Sequence, residues 1–259
     1  MRLLLAPILA ALLAAPAVPQ AVAPPPMVAV PVAVVATYPH DRAAFTQGLL
    51  IHDSALYEST GREGTSEVRR VDLATGRVLA RAKLPPSDFG EGIGVAGRDL
   101  VSVTWHGGQG YRWSLPELKR RGTFRYGGEG WGMTTAPNGQ VVLSDGTPVL
   151  RFLDPVTLKV VRTLRVTANG RALARLNELE WVDGEILANV WTRPFVARID
   201  PTTGMVRGFL DLTALVERVA LSDTDAVPNG IAWDAKRRKL YVTGKNWPEL
   251  FEIAWPPTR

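Results

Sequence analysis

Hydrophobic and polar residues come in short bursts along this chain, and the bursts recur. Five phrases, "ALYESTG" (55–61), "DLVSVTW" (99–105), "QVVLSDG" (140–146), "EILANVW" (185–191) and "KLYVTGK" (239–245), are runs rich in β-branched and aromatic residues. Turn-forming residues precede each run: "HDS", "AGR", "PNG", "VDG" and "AKRR". Ahead of each turn lies a partner phrase, "QGLLI", "EGIGV", "WGMTT", "NELEW" or "NGIAW". A third and fourth strand follow around an Asp-containing turn in "VRRVDLATGRVLA", "LRFLDPVTLKVVRTL" and "VARIDPTTGMVRGFL". In such a turn an Asp or Thr side chain bonds nearby backbone, and glycine accepts the positive φ that ends it.

Successive runs start 44, 41, 45 and 54 residues apart. Four strands per unit at a period near 45 residues is the pattern of a β-propeller blade, and five units predict an all-β, five-bladed propeller. The last unit is short, because beyond "KLYVTGK" the chain offers only one more strand-like phrase, "ELFEI". The early stretch "VAVVATYPH" (32–40) is expected to supply the missing outer strand and close the ring, which removes exposed sheet edges. Two separate β-sandwiches fit the regular period less well. One helix is expected, "LTALVERVAL" (212–221), inside the long fourth interval.

Composition adds a compartment to this picture. Met1-Arg2 is followed by an apolar run from Leu3 to Ala15, too short to span a bilayer and flanked like a secretory signal. Cleavage is expected after Ala17 or Ala23, so residues 1–23 read as a signal peptide, 24–31 as a proline-rich tether and 32–259 as one propeller domain. The expected location is periplasmic or secreted, with no stable membrane association after cleavage. The chain has no cysteine, so neither disulfides nor thiolate chemistry are available. Net charge is +5, and the basic clusters at Lys119–Arg121 and Lys236–Lys239 lie beside turn signals. They lack interleaved aromatics, so they read as solvated hairpin loops and nucleic acid is not an expected partner.

The repeat also aligns the unusual residues. The innermost strand of each blade lines the central channel, and the equivalent positions there are Gln47, Glu91, Trp131, Asn177 and Asn229. A second ring at the ends of the following strands holds Trp105, Trp191 and Lys245, with Asp145 and Ser59–Thr60 at comparable places. A carboxylate, amides, a lysine and indoles converging near one channel mouth make a small-ligand site. Glu91 is the only carboxylate of its ring, and it lies between two glycines in "DFGEG".

The phrases "FTQGL", "YESTG", "FGEG", "EGWGM", "SDG…FLDP", "LNELEW", "ANVW", "NGIAWD" and "TGKNWPELFEI" occur in this order from about Tyr38 to Ile253. In this ordered set the chain resembles the plant-type glutaminyl-peptide cyclotransferases, which many bacteria also possess. The resemblance implies a five-bladed propeller and conversion of an N-terminal glutamine of a peptide or protein to pyroglutamate, with release of ammonia. It implies Glu91 as the acid/base, Lys245 and Asn177 as catalytic polar contacts, and Phe45, Gln47, Phe89, Trp105, Trp131 and Trp191 as the substrate pocket. Asn229 joins the substrate-binding set from the repeat alignment alone.

No cofactor is expected for catalysis. His40, His52 and His106 are scattered without zinc-type spacing, whereas backbone carbonyls and scattered carboxylates leave room for a structural calcium in the channel. Two other readings use the same residues. A calcium-dependent, lactonase-like hydrolase would take Glu91, Asn177 and Asn229 as ligands, and a non-catalytic propeller would bind peptides or sugars through its tryptophans. A monomer is expected, since a closed propeller has no obligatory partner.

Overall fold

The computed structural model describes residues 28–255; the signal peptide expected over residues 1–23 lies outside them. Five antiparallel sheets follow one another in chain order. Blade 1 comprises Thr46–His52, Ala55–Thr60, Glu67–Val71 and Val78–Lys83. Blade 2 comprises Gly90–Ala96, Asp99–Thr104, Gln109–Ser114 and Arg120–Arg125. Blade 3 holds Met133–Thr135, Val141–Leu143, Val149–Leu153 and Val160–Arg165, and blade 4 holds Leu176–Val182, Glu185–Val190, Phe195–Ile199 and Val206–Asp211. Blade 5 contributes Pro228–Asp234, Lys239–Gly244 and Glu249–Ile253. The first strand of each blade packs against the first strand of the next, and the fifth returns to the first, so the ring closes.

The closing strand is Val34–Pro39, paired antiparallel with Glu249–Ile253 as the outer edge of blade 5. A buried cluster holds this joint. His40 faces the Trp247 carbonyl through Nδ1 at 2.6 Å and a Glu58 oxygen through Nε2 at 3.0 Å. Both partners are acceptors, so both ring nitrogens carry protons and the imidazole is cationic. Arg69 completes the cluster with ion pairs to Glu58 at 2.7 Å and Asp41 at 2.8 Å. Residues 29–31, the end of the expected tether, pair in parallel with Val206–Asp211 and add a fifth strand to blade 4. The helix falls where expected, at Thr213–Val219.

Packing follows the same count. Among the described residues five apolar clusters form, one between each pair of neighbouring blades; Leu50, Tyr57 and Val68 of blade 1, for example, meet Ile93, Leu100 and Trp113 of blade 2. Sheet faces that alternate apolar residues bury them against the next sheet, and outer strands such as Val78–Lys83 keep alternate positions in water. The Asp turns are built as their composition predicts. Thr75, Thr157 and Thr203 donate backbone N–H groups to Asp72, Asp154 and Asp200 at 2.9, 2.7 and 2.9 Å. Gly76 and Gly204 take the positive φ, while Leu158 accepts it in blade 3. Of the basic clusters, Arg121, Arg238 and Lys239 pair with Asp99, Asp183 and Glu252.

Candidate active site

The side chains that converge on the channel mouth are aimed there by bulges. In four blades the pairing of the innermost strand with the second shifts register at one place, between Thr46 and Gly48, Gly90 and Ile93, Leu176 and Leu179, and Pro228 and Ile231. Gln47, Glu91, Asn177 and Asn229 lie in these irregularities. A bulge bends the strand and redirects a side chain that a regular pleat would lay against the next sheet. In three of the four, a side chain in or just after the second strand of the preceding blade steadies the bulge. Ser59 Oγ donates to the Glu91 carbonyl, Ser144 Oγ donates to the Asn177 carbonyl at 2.7 Å, and Asn189 Oδ1 accepts from the Gly230 N–H at 3.1 Å.

The glycines around Glu91 have a packing reason. A Cβ at Gly90 would lie 2.7 Å from the Thr60 carbonyl oxygen, and one at Gly92 would lie 2.5 Å from the Met133 nitrogen. The strand thus runs close to backbone on both sides, and only glycine permits that approach. Glu91 is left 6% exposed at the floor of a cavity of about 250 Å³.

Nine of the ten expected site residues line that cavity: Phe45, Gln47, Phe89, Glu91, Trp105, Trp131, Asn177, Trp191 and Lys245. Phe45, Phe89 and Trp105 form one wall through edge-on contacts at 6.1 and 5.6 Å between ring centroids. Trp131 and Trp191 form the other, at 5.5 Å and nearly perpendicular. Lys245 Nζ sits 4.7 Å from the centre of the Phe45 ring, where the π face favours a cation. Asn229 is the exception. It is fully buried behind Gln47 rather than lining the cavity, so its assignment as a substrate contact is corrected. Asp145 and Ser59–Thr60 likewise stay out of the cavity lining; Asp145 binds Thr147 and Arg151 instead.

Burial dominates the charges here. It lifts the Glu91 carboxyl well above its usual 4.5; Lys245 draws it back and Glu129 adds a smaller push upward. Burial also lowers the Lys245 ammonium from its usual value, partly offset by Glu91 and Asp225. Among the described residues one Glu91 oxygen, Oε1, accepts from Gln47 Nε2 at 3.1 Å, and Oε2 has no partner and is not sealed from the cavity. The Asn177 Oδ1 is buried without a hydrogen-bond partner among the described residues.

Three further residues at or beside the cavity were not foreseen. Arg62, stacked over the Phe45 ring at 4.3 Å, and Asp225 both line the mouth. Glu129 accepts the indole N–H groups of Trp105 at 2.9 Å and Trp131 at 2.8 Å on the same oxygen. It thereby clamps a ring from each wall. Its signal was legible: "GEGWG" repeats the glycine-flanked glutamate of "DFGEG" one blade later.

Set against known proteins, this arrangement has relatives. The profile of the family described as glutamine cyclotransferase matches residues 3–255. The chain belongs to the glutamine cyclotransferase family. A glutaminyl-peptide cyclotransferase of Arabidopsis thaliana is 42% identical over 225 residues, covering 85% of this chain and 70% of the relative. The crystal structure of Myxococcus xanthus glutaminyl cyclase superposes with a TM-score of 0.83 at 37% identity, covering 88% of this chain and 98% of that one. The fold is therefore shared with that glutaminyl cyclase. Regarding metals, no group of three or more His, Asp or Glu side chains among the described residues is placed to hold an ion. The channel carboxylates Glu178 and Glu180 face backbone N–H groups.

Proposed function

We propose that this cyclotransferase closes N-terminal glutamine to pyroglutamate with Glu91 as its single proton carrier. The observation that carries the reading is a buried carboxyl with one oxygen bonded by Gln47 and the other open to an aromatic-walled cavity. The substrate's α-ammonium enters beside Glu91, and its reference pKa of about 8 makes transfer of one proton to a buried, high-pKa carboxylate inexpensive. The resulting neutral amine attacks the γ-amide carbon of the same residue. The amide oxygen takes up negative charge, which Lys245 and the Asn177 amide are placed to stabilise. Glu91 then gives its proton to the amide nitrogen, the C–N bond breaks, ammonia leaves, and the carboxylate takes the surplus proton from the new ring nitrogen.

The reaction is intramolecular, so much of the acceleration comes from holding a curled conformer. Well-oriented intramolecular reactions reach effective molarities on the order of 10⁵ M or more. The walls formed by Phe45, Phe89, Trp105, Trp131 and Trp191 supply that enclosure and exclude water. Substrates are peptides or proteins that present glutamine at the N-terminus. The apolar run from Leu3 to Ala15 with its A-x-A sites supports action after export, in a periplasm or outside the cell, and the closed ring supports a monomer. The testing experiment is a coupled assay of ammonia release from a glutamine-initiated peptide, with and without a chelator. Release that survives chelation is expected. No release, or release abolished by chelation and restored by calcium, would overturn the reading. A structural calcium would show separately, as a fall in melting temperature on chelation.

A further inference from the structure

Asn229 is the second residue of the innermost strand of blade 5, where it is completely buried. Its Nδ2 donates to the Thr46 carbonyl at 3.0 Å and to Gln47 Oε1 at 3.0 Å. The Thr46 oxygen is main chain and only accepts, so the Asn229 amide has one workable orientation; reversed, it would set oxygen against oxygen. Gln47 is then oriented as well. Its oxygen must face Asn229, which turns its NH₂ towards Glu91 Oε1 at 3.1 Å. A directional chain therefore runs from backbone in blade 1, through Asn229 of blade 5 and Gln47 of blade 1, to Glu91 of blade 2. An oxygen that receives an N–H is a poor place for a proton, because a hydroxyl oxygen accepts less well than a carbonyl-type one.

We propose that Asn229 is a positioning residue which, through Gln47, makes Oε1 of Glu91 the accepting oxygen and leaves Oε2 to exchange protons with the substrate. This rests on the reading of Glu91 as the proton carrier. It implies that the attacking nitrogen and the departing nitrogen are both served by Oε2, on one side of the carboxyl. Asn229 acts without touching substrate, since it does not line the cavity. Lys245 and Glu129 shift Glu91 directly, Tyr126 is coupled to it, and Arg62 and Asp225 line the same cavity and act on Lys245; all are left intact in the test.

The test compares Asn229→Ala, Gln47→Leu and the double variant, with the full chain and a glutamine-initiated tripeptide. Loss of one hydrogen bond to a charged group predicts a fall in kcat of about tenfold in Asn229→Ala with KM within about twofold. The acidic limb of kcat/KM should move to higher pH, since an N–H donated to the carboxylate favours its ionised form. Gln47→Leu should move the limb the same way, and the double variant should be no worse than Gln47→Leu alone, because the two residues act in series. A merely structural Asn229 would lower the melting temperature and leave the limb of the folded fraction in place, which overturns the proposal. Additive losses in kcat overturn it too. Should Asn229→Ala fail to fold, an unmoved limb in Gln47→Leu is sufficient to reject it. Glu91→Gln separates the two levels: near-normal turnover there removes the proton-carrier reading itself, whereas an inactive Glu91→Gln beside unshifted Asn229 and Gln47 variants removes only this inference.

Discussion

Two buried glutamates in the channel, Glu91 and Glu178, begin from the same physics and end in different surroundings. Desolvation lifts both carboxyls well above their usual value. Glu178 reaches across the channel and receives the Leu49 N–H at 3.1 Å on one oxygen and the Ile231 N–H at 2.8 Å on the other. It ties blade 4 to blades 1 and 5, and neither oxygen is left without a partner. Glu91 has one oxygen bonded and one open to a cavity. Burial by itself is therefore a poor signature of catalysis; a carboxyl that moves protons also needs an oxygen with no partner of its own and room for a substrate beside it. Glu58 marks a third outcome. Burial pushes it up, but His40 and Arg69 outweigh that and hold it at about 2.

The comparison is broken most directly at Glu91. Glu91→Gln should lower kcat by about a thousandfold, within the range of general acid/base catalysis, while the melting temperature holds or rises. Turnover within tenfold of the parent would place the chemistry elsewhere. The opposite pattern is expected at Glu178. Glu178→Ala strands two buried backbone N–H groups at about 1–3 kcal/mol each, read by denaturant unfolding, and the folded fraction keeps its pH profile. Trp131→Ala tests the wall that encloses the Glu91 side: KM should rise about tenfold with a smaller change in kcat, and an unchanged KM would remove Trp131 from substrate binding.

The smallest effect is on stability against pH. Burial pushes Glu180 up to about 8, with the Trp233 N–H and Thr134 hydroxyl pulling the other way. A carboxyl raised on folding contributes stability in full below its ordinary value near 4.5 and loses it as pH rises to about 8. The raised His40, whose charge Glu58 preserves against burial, acts in the same direction above 6.5. The melting temperature should fall between pH 5 and 8, and Glu180→Gln should flatten that slope. Glu91, Glu178 and His40 contribute slopes of the same sign, so an unchanged slope in Glu180→Gln would show that Glu180 ionises at its ordinary value.

Much of this was legible in the chain. The near-45-residue period, the Asp turns and the short last unit led to the blade count and to closure by Val34–Pro39. The aligned phrases even hold the signal for Glu178. After the ring position, four blades place glycine, at Gly48, Gly92, Gly132 and Gly230, and only "NELEW" places a glutamate. Glu129 was equally visible as a second glycine-flanked glutamate. Asn229 was misassigned for a geometric reason: equivalent strand positions share a ring, but the sequence does not say which members face the cavity and which stand behind a neighbour.

What the sequence determined by itself is periodic and local: where strands and turns fall, how many blades form, and which residue types gather at one mouth of the channel. Alternation and turn chemistry act over a few residues, so they survive in one dimension. The state of each site residue was decided only by the tertiary structure. Asn229 and Gln47 are 182 positions apart when they meet, and Gln47 lies 44 positions from Glu91. Desolvation and hydrogen bonding depend on which atoms stand within about 3 Å; blade packing brings Gln47 to Glu91, and ring closure brings Asn229 to Gln47.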